Sequence, residues 1–311
     1  FYSLALAALL ALSGCASVLE LDDALAVTSY RIDPNGRIVV DANINSRGPY
    51  EFVLDTGSSI SAIFDELSDA LSLTNVPDKK VIVHGAVASG VFPLLDVAQA
   101  EVAGAIWSEP RFVRLPGVTD ANPGIDGILG LDFLQRYAIG FIAGQRIVRV
   151  YSPETVARRS YRGWASIPFN PRKIGENGAA LLFIRVTIDG WEVPAVFDLG
   201  AGLNMINWSG ARLLGIKKER LRMNQVLSGA IQGDLKMARL DARVVRTSGI
   251  RWRNEAFAIA DLDIFEIFGL EDRPAAILGA GLFTQRDFII DFARGRLLVN
   301  ISTAQLDHDP R

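Results

Sequence analysis

The stretch that decides the fold is FVLDTGSS, residues 52–59, and a similar stretch, AVFDLGAG, occupies residues 195–202. Each is an apolar run that ends in an aspartate, Asp55 or Asp198, followed by one residue, a glycine and a small residue. A carboxylate at the end of a buried strand costs several kcal/mol unless something compensates for it. Two such aspartates in matching contexts therefore predict that both carboxylates lie in one site.

Further matches between the two halves of the chain follow in the same order. The segments GILGLDFL, residues 127–134, and AAILGAGLF, residues 275–283, each lead into a pair of strands. A strand, a turn and a second strand precede each aspartate, and a glycine-punctuated segment follows it. Since these landmarks recur in register, the sequence predicts an internal duplication that forms two similar, mostly β lobes.

The landmarks also predict the domain boundaries. We expect the first lobe at residues 28–152 and the second lobe at residues 175–302. A linker rich in Arg, Ser and Pro would join them at residues 153–174, and residues 303–311 would be a tail.

The combination of DTGS, residues 55–58, with a later ILG, residues 128–130, resembles the aspartic proteases. The short lobes look closer to bacterial retropepsin-like enzymes than to the longer pepsin lobes, and the resemblance covers most of residues 28–301. It implies a pepsin/retropepsin-like acid protease fold with two similar β-barrel lobes and a cleft between them. It also implies an aspartic endopeptidase whose catalytic residues are Asp55 and Asp198.

The chemistry of two neighbouring carboxylates explains why such a pattern is needed. One carboxyl keeps a proton while the other stays charged, because both do not ionise easily in one site. The charged one can take a proton from water, and the protonated one can donate to the peptide carbonyl oxygen. The supporting loop residues would be Thr56, Gly57, Ser58, Gly200 and Ala201. We expect the glycines to permit tight turns and the Ser58 hydroxyl to orient Asp55, which Ala201 cannot do for Asp198.

One residue departs from the pattern of the family. Each motif usually carries Thr or Ser after the Asp, and the two hydroxyls brace the pair of aspartates across the lobes. Here Thr56 is present, but its counterpart is Leu199. This leaves two alternatives: an active endopeptidase with asymmetric bracing, or a catalytically weak or inactive peptide-binding lipoprotein that keeps the cleft.

Two glycine-punctuated stretches, residues 83–90 and 227–233, have the composition of hairpin tips. By resemblance they would be flaps that close over the substrate, with these candidate residues: His84, Gly85, Ser228 and Gly229. For His84, an ordinary exposed turn histidine is the favoured interpretation over a contact with the substrate. Asp132 and Asp287, which follow the two Leu-Gly segments, are interpreted as surface-turn residues.

The composition excludes several classes of function. A net charge of −3 gives no reason to expect nucleic acid as a partner. With a single cysteine and two histidines, a His/Cys metal site and a disulfide framework are excluded by count, although carboxylate-only metal binding stays possible. We expect no cofactor and no metal, and a peptide or protein substrate as the partner. A monomer suffices, since both aspartates lie in one chain.

The N-terminal residues predict export and membrane attachment. An apolar run at residues 4–12 has the length of a signal-peptide core, and LSGC, residues 12–15, resembles a bacterial lipobox with Cys15 as the lipidated residue. Residues 1–14 would then be part of a signal peptide and residues 15–27 a tether in the periplasm. By resemblance, Ala16 favours the outer membrane. The alternative is an ordinary secretory signal that contains a chance cysteine.

Overall fold

A computed structural model describes residues 23–85, 89–117, 124–174, 179–218, 221, 225–228 and 234–301. Two of the candidate residues, Cys15 and Gly229, therefore lie outside the described residues. The strands are Ala26–Ser29 (β1), Arg31–Ile32 (β2), Ile38–Ile44 (β3), Arg47–Leu54 (β4), Ala62–Phe64 (β5), Asn75–His84 (β6), Ser89–Asp96 (β7), Gln99–Val102 (β8), Ala105–Ser108 (β9), Arg111–Leu115 (β10), Gly127–Leu129 (β11), Ala138–Ile142 (β12), Ile147–Tyr151 (β13), Trp164–Pro168 (β14), Asn170–Ile174 (β15), Ala179–Ile188 (β16), Trp191–Asp198 (β17), Asn204–Ile206 (β18), Gln225–Ser228 (β19), Asp234–Thr247 (β20), Ile250–Ile259 (β21), Ala276–Gly279 (β22), Phe288–Asp291 (β23) and Arg296–Asn300 (β24).

The helices between these strands are short. They are Asp65–Ala70 (α1), Leu131–Leu134 (α2), Pro153–Ala157 (α3), Trp208–Leu213 (α4) and Asp263–Ile267 (α5), with 3-10 turns at Ala143–Gln145, Ala280–Leu282 and Phe292–Arg294. Among the described residues, no helix is long and apolar enough to cross a membrane.

The strands form three sheets, one in each lobe and one shared between them. Ten strands of the first half, β2 to β11, make the first-lobe sheet, and eight strands, β15 to β22 in another order, make the second-lobe sheet. The shared sheet has the order β1-β13-β12-β23-β24-β14, so that each half of the chain supplies three neighbouring strands. The expectation of a mostly β, two-lobed fold is confirmed.

The two halves join at the centre of the shared sheet. Strands β12 and β23 run antiparallel there, with Phe141 opposite Phe288, and these two rings stack with their centres 4.2 Å apart. Both phenylalanines are fully buried in a hydrophobic core that is continuous through both lobes. This central packing fixes the position of one lobe against the other.

Within each lobe, the apolar run before the aspartate is a central strand. Strand β4 runs parallel to β11, with Leu54 beside Leu129, and β17 runs parallel to β22, with Phe197 beside Leu278. These four residues are at most 2% exposed. Unbroken apolar runs suit strands that are covered on both faces, which explains their lack of alternation. The Leu-Gly segments therefore lie beside the aspartate strands, as their matched order indicates.

The predicted linker contains regular structure. Helix α3 begins after Ser152, whose hydroxyl caps it by accepting a hydrogen bond from the Thr155 amide at 3.2 Å. Strand β14 then pairs with β24 and forms one edge of the shared sheet. Its last residue is Pro168, a residue that sheets tolerate at an edge.

Candidate active site

The two aspartates occupy equivalent turns at the ends of equivalent strands. Asp55 follows β4, and its Oδ1 accepts a hydrogen bond from the Gly57 amide at 2.7 Å. Asp198 ends β17, and its Oδ1 accepts from the amides of Gly200 at 2.8 Å and Ala201 at 3.2 Å. In each turn the backbone therefore holds one carboxylate oxygen and leaves the other available.

The two carboxyl groups meet across the lobes and are hydrogen-bonded to each other. A Cβ atom on Gly57 would lie 2.5 Å from the Asp198 carboxyl group, and one on Gly200 would collide with the carboxyl group of Asp55. Each carboxyl group thus packs against the backbone of the opposite turn. Close approach, and not a left-handed turn conformation, is the reason for glycine here, because neither glycine has a positive φ.

The surroundings of the pair make the two carboxyl groups unequal. Burial raises the pKa of Asp198 well above its ordinary value, and the negative charge of Asp55 and their mutual hydrogen bond raise it further. Burial also raises the pKa of Asp55, but the hydrogen bond from Asp198, the amides of Gly57 and Ser58 and the charge of Arg37 counteract this. Asp198 is therefore the member of the pair whose pKa is raised more strongly. Both residues keep part of their surface exposed.

Thr56 braces the pair from one side only. Its buried hydroxyl donates to the Phe197 carbonyl at 2.9 Å and accepts from the Leu199 amide at 3.0 Å, so both hydrogen bonds cross between the lobes. The side chain of Leu199 is fully buried in the hydrophobic core and has no group to return such a bond. Apolar packing thus takes the place of the second hydroxyl.

The expected role of the Ser58 hydroxyl is wrong. This hydroxyl donates to the Ile60 carbonyl at 2.7 Å. Since a serine hydroxyl has a single hydrogen, it cannot donate to Asp55 at the same time. Ser58 contributes its backbone amide to Asp55 instead, in the same way that the Ala201 amide supports Asp198.

Sequence reasoning missed the polar residues that support the two turns. Ser61 is fully buried, and its hydroxyl accepts from the Gly130 amide at 2.9 Å and donates to Asp132 at 2.7 Å. In the second lobe, Asn204 accepts from the Gly279 amide at 3.0 Å. Both residues stand six positions after an aspartate, and this shared spacing was a usable signal.

Asp132 and Asp287 are not simple surface-turn residues, which corrects the interpretation of the sequence. Both oxygens of Asp132 bind Ser61, one of them through the Ser61 amide at 3.0 Å, and burial raises the pKa of Asp132. Asp287 accepts from the Ala143 amide at 2.9 Å and so ties the two halves of the shared sheet together.

A loop of the first lobe also reaches the second aspartate turn. Arg37 forms an ion pair with the buried Asp33 at 2.6 Å, and the Asp33 carboxylate accepts from the Asn35 amide at 3.0 Å. The Asn35 carbonyl packs so closely on Gly202 that a Cβ there would collide with it. This loop therefore brings the positive charge of Arg37 to the Asp55 side of the pair. No motif in the sequence predicted this contact.

The flap candidates lie in two hairpins. Strands β6 and β7 form the first, with His84 and Gly85 near its tip; His84 is exposed, and its Nδ1 lies 2.9 Å from the Ser89 hydroxyl. Strands β19 and β20 form the second, in which Ser228 is paired with Asp234. None of these three candidates, His84, Gly85 and Ser228, takes part in the hydrogen bonds of the aspartate pair described above.

No group of three or more His, Cys, Asp or Glu side chains within the described ranges is placed to hold a metal ion. The arrangement that does exist, two hydrogen-bonded carboxyl groups of unequal proton affinity, suits general acid and base chemistry on a bound water molecule.

Two solved structures are similar to this chain. Among solved structures, the retropepsin-like aspartic protease of Rickettsia conorii is 20% identical over 44% of this chain and 90% of its own, with a TM-score of 0.32. Basic 7S globulin from soybean is 11% identical over 89% and 95% of the two chains, with a TM-score of 0.49. At such identities and TM-scores these likenesses carry no further argument. No curated protein sequence matches the chain.

The family model described as "Aspartyl protease" matches the chain twice, at residues 40–133 and 184–282. The two stretches together span more than half of the chain, and each contains one of the two aspartate turns. The chain therefore belongs to the aspartyl protease family, with the unit of that family present in duplicate.

Proposed function

We propose that the protein is an aspartic endopeptidase in which Asp55 is the general base and Asp198 the general acid. The observation that carries this proposal is the hydrogen-bonded pair of aspartates with unequal surroundings. Burial raises the pKa of both carboxyl groups, but backbone amides and the charge of Arg37 counteract this rise at Asp55, whereas the charge of Asp55 adds to the rise at Asp198.

The two roles follow from this difference in pKa. Asp55 takes a proton from a water molecule held between the carboxyl groups, and the water oxygen attacks the carbonyl carbon of the peptide bond. Asp198 gives its proton to the carbonyl oxygen, so that a neutral tetrahedral diol forms. When the C–N bond breaks, the proton on Asp55 passes to the leaving nitrogen, and Asp198 regains a proton from one of the diol hydroxyls. The pair returns to its starting state without a covalent intermediate.

The first hairpin supports a preference for apolar substrate side chains. Val83 and Phe92 on one of its faces, with Ile60 from the Asp55 turn, are partly exposed and pack against an apolar cluster of the first lobe. A substrate side chain that lies against this surface would bury apolar area, at about 25 cal/mol per Å². We therefore infer that peptides with an apolar residue beside the cleaved bond are preferred.

The test is cleavage of a peptide library, read by mass spectrometry, with the wild type and three variants. Asp55→Asn and Asp198→Asn keep the shape of the site, and Asp41→Asn changes an exposed aspartate on β3 as a matched control. We expect either site variant to lose at least about 100-fold in kcat/KM, since general acid–base catalysis contributes about 10²–10⁴. Unchanged cleavage in either site variant would refute the shared site.

The same experiment separates the alternative function, a weak or inactive peptide-binding protein. One-sided bracing by Thr56 is the observation that favours this alternative. A wild type that binds a pepstatin-type inhibitor, measured as a raised unfolding temperature, but cleaves no peptide would support binding without turnover. Cleavage that the inhibitor blocks would support the endopeptidase.

Localisation is a separate proposal, which rests on the sequence around Cys15. We infer lipid attachment at Cys15 and a periplasmic position at the outer membrane. In a bacterial host, Cys15→Ser should release the protein from the membrane fraction, and retention of that variant in the membrane fraction would contradict lipid anchoring.

A further inference from the structure

A groove of 740 Å³ opens in the second lobe, and its chemistry differs from that of the aspartate site. Its walls come from the end of β14 and the start of β15, from β16 and β17, and from the hairpin that joins β20 to β21. None of its lining residues belongs to the two turns that hold Asp55 and Asp198. We call it the arginine groove, after Arg185, Arg246 and Arg251, which line it.

Strand register aligns the polar side chains of the arginine groove in one row. Arg251 on β21 lies opposite Arg246 on β20, Arg246 lies opposite Thr187 on β16, and Thr187 lies opposite Glu192 on β17. Residues directly opposite each other in a sheet have Cβ atoms about 4.5–5.5 Å apart. The two arginines therefore start from neighbouring backbone positions, and both are exposed to solvent.

The ion pairs of the groove leave two positive charges uncompensated. Arg185 is paired with Glu192, at 2.8 Å, and among the described residues Glu192 is the single acidic residue that lines the groove. Among the described residues, Arg246 and Arg251 have no hydrogen-bond or ion-pair partner for their side chains. Like charges directly opposite each other destabilise a sheet. An anion bound between these two arginines would remove that repulsion.

A tight turn joins the two strands that carry Arg246 and Arg251. Thr247 and Ile250 flank a two-residue turn, Ser248–Gly249, with φ values of 43° and 85°. Positive φ at both central residues is typical of the type I′ turn, whose twist matches that of the flanking strands. The Thr247 hydroxyl also donates to the Arg185 carbonyl at 2.8 Å, which ties the hairpin to β16. The arginines thus project from a braced hairpin.

We propose that the arginine groove binds a phosphate-type dianion, either phosphate itself or a phosphate monoester. Two guanidinium groups can each present two parallel N–H donors to such an oxyanion, and two positive charges match its two negative ones. Neutral donors are present as well, since Thr187, Ser248 and Asn170 also line the groove. The overall charge of the protein is −3, so attraction of an anion requires a local site of this kind.

Calorimetric titration of the purified full chain with inorganic phosphate, at constant ionic strength set by chloride, tests the proposal. The double variant Arg246→Gln/Arg251→Gln should bind phosphate at least about tenfold more weakly than the wild type. Arg111→Gln/Arg212→Gln removes two exposed arginines outside the groove and is the charge-matched control. It should bind like the wild type. Unfolding temperatures of both double variants check that each is folded.

Three results would overturn the proposal. The first is the absence of saturable phosphate binding by the wild type. The second is an Arg246→Gln/Arg251→Gln variant that binds phosphate as tightly as the wild type. The third is an equal loss of phosphate affinity in the charge-matched control, because phosphate binding would then depend on the overall electrostatic field of the protein and not on a specific site.

A second arm of the experiment identifies the source of the phosphate group. Glycerol 3-phosphate supplies a soluble monoester, and vesicles of phosphatidylcholine with phosphatidic acid supply the same group at a lipid surface, with pure phosphatidylcholine vesicles as the blank. Binding of the soluble monoester alone assigns the groove to a soluble ligand. Binding to the phosphatidic acid vesicles that inorganic phosphate competes away, and that the groove variant loses, assigns it to a lipid headgroup. Vesicle binding that the groove variant retains would count against the proposal.

Discussion

Replacing Thr56 with valine removes the hydrogen bonds that brace the aspartate pair and preserves the shape of the side chain. The hydroxyl makes two buried hydrogen bonds, at 2.9 and 3.0 Å, both to backbone groups of the other lobe. Loss of the hydroxyl leaves the Phe197 carbonyl and the Leu199 amide without this partner, at about 1–3 kcal/mol for each buried group. We therefore expect Thr56→Val to lower the free energy of unfolding by about 2–6 kcal/mol.

The assay is thermal unfolding followed by circular dichroism, with peptide cleavage measured in parallel. Since the entropy of unfolding is about 2.1 cal/mol/K per residue, 1 kcal/mol corresponds to roughly 1.5 °C for a chain of 311 residues, and the unfolding temperature should fall by about 3–9 °C. The value of kcat should fall as well, because a misplacement of about 1 Å can cost on the order of 100-fold in rate. Thr56→Ser keeps the hydroxyl and should stay close to the wild type in both measurements.

Ser58→Ala is the matched control for stability, because the Ser58 hydroxyl bonds within its own turn and not across the lobes. It should cost only about 1 kcal/mol, as a single hydrogen bond does. The reasoning is refuted if Thr56→Val unfolds within about 2 °C of the wild type. It is equally refuted if Thr56→Ser is destabilised as much as Thr56→Val.

Three further predictions concern the charges and the packing of the same site. Arg37→Gln should move the acid limb of the kcat/KM profile to higher pH, because the charge of Arg37 lowers the pKa of Asp55. Arg37→Lys keeps the charge and should leave the acid limb in place. An acid limb that does not move in Arg37→Gln would count against the electrostatic role of Arg37. The pKa of Asp198 is raised in the folded state. The protonated carboxyl group of Asp198 therefore contributes fully to stability below the ordinary aspartate pKa of about 3.9, and this contribution is lost as the pH rises through the pKa of the folded state. Asp198→Asn should therefore gain in unfolding temperature relative to the wild type as the pH rises from about 4 to 7, and a constant difference would contradict the raised pKa. Leu199→Thr should destabilise the protein by about 2–4 kcal/mol in denaturant titrations, since the side chain of Leu199 is fully buried. A variant more stable than the wild type would show that the packing of Leu199 does not compensate for the absence of a hydroxyl at this position.

Much of the architecture could be predicted from the sequence, because the apolar runs before Asp55 and Asp198 and the two Leu-Gly segments become neighbouring buried strands. Long apolar runs that end in a charged residue are unusual, and their recurrence in one order left few alternatives. The edge strands were harder to recognise. Strand β14 lies in a stretch rich in Arg, Ser and Pro, and only its pairing with β24 gives it regular structure.

The details of the site depended on contacts between distant parts of the chain. The glycines at positions 57 and 200 could be recognised, but their reason, contact with the opposite carboxyl group, needs both lobes in place. The effect of Arg37 on Asp55 likewise depends on a loop packed against the second lobe. Ser58 shows the converse: a hydroxyl beside the aspartate in sequence has a nearer acceptor, the Ile60 carbonyl.

The central claim, that Asp55 and Asp198 share one proton in a single site, is tested most directly by titrating their carboxyl carbons by NMR in selectively labelled protein. We expect Asp198 to stay protonated well above the ordinary aspartate range in the wild type, and its pKa to fall in Asp55→Asn, where the neighbouring charge is gone. Two carboxyl groups that titrate independently near about 3.9, with Asp198 unaffected by Asp55→Asn, would contradict the claim.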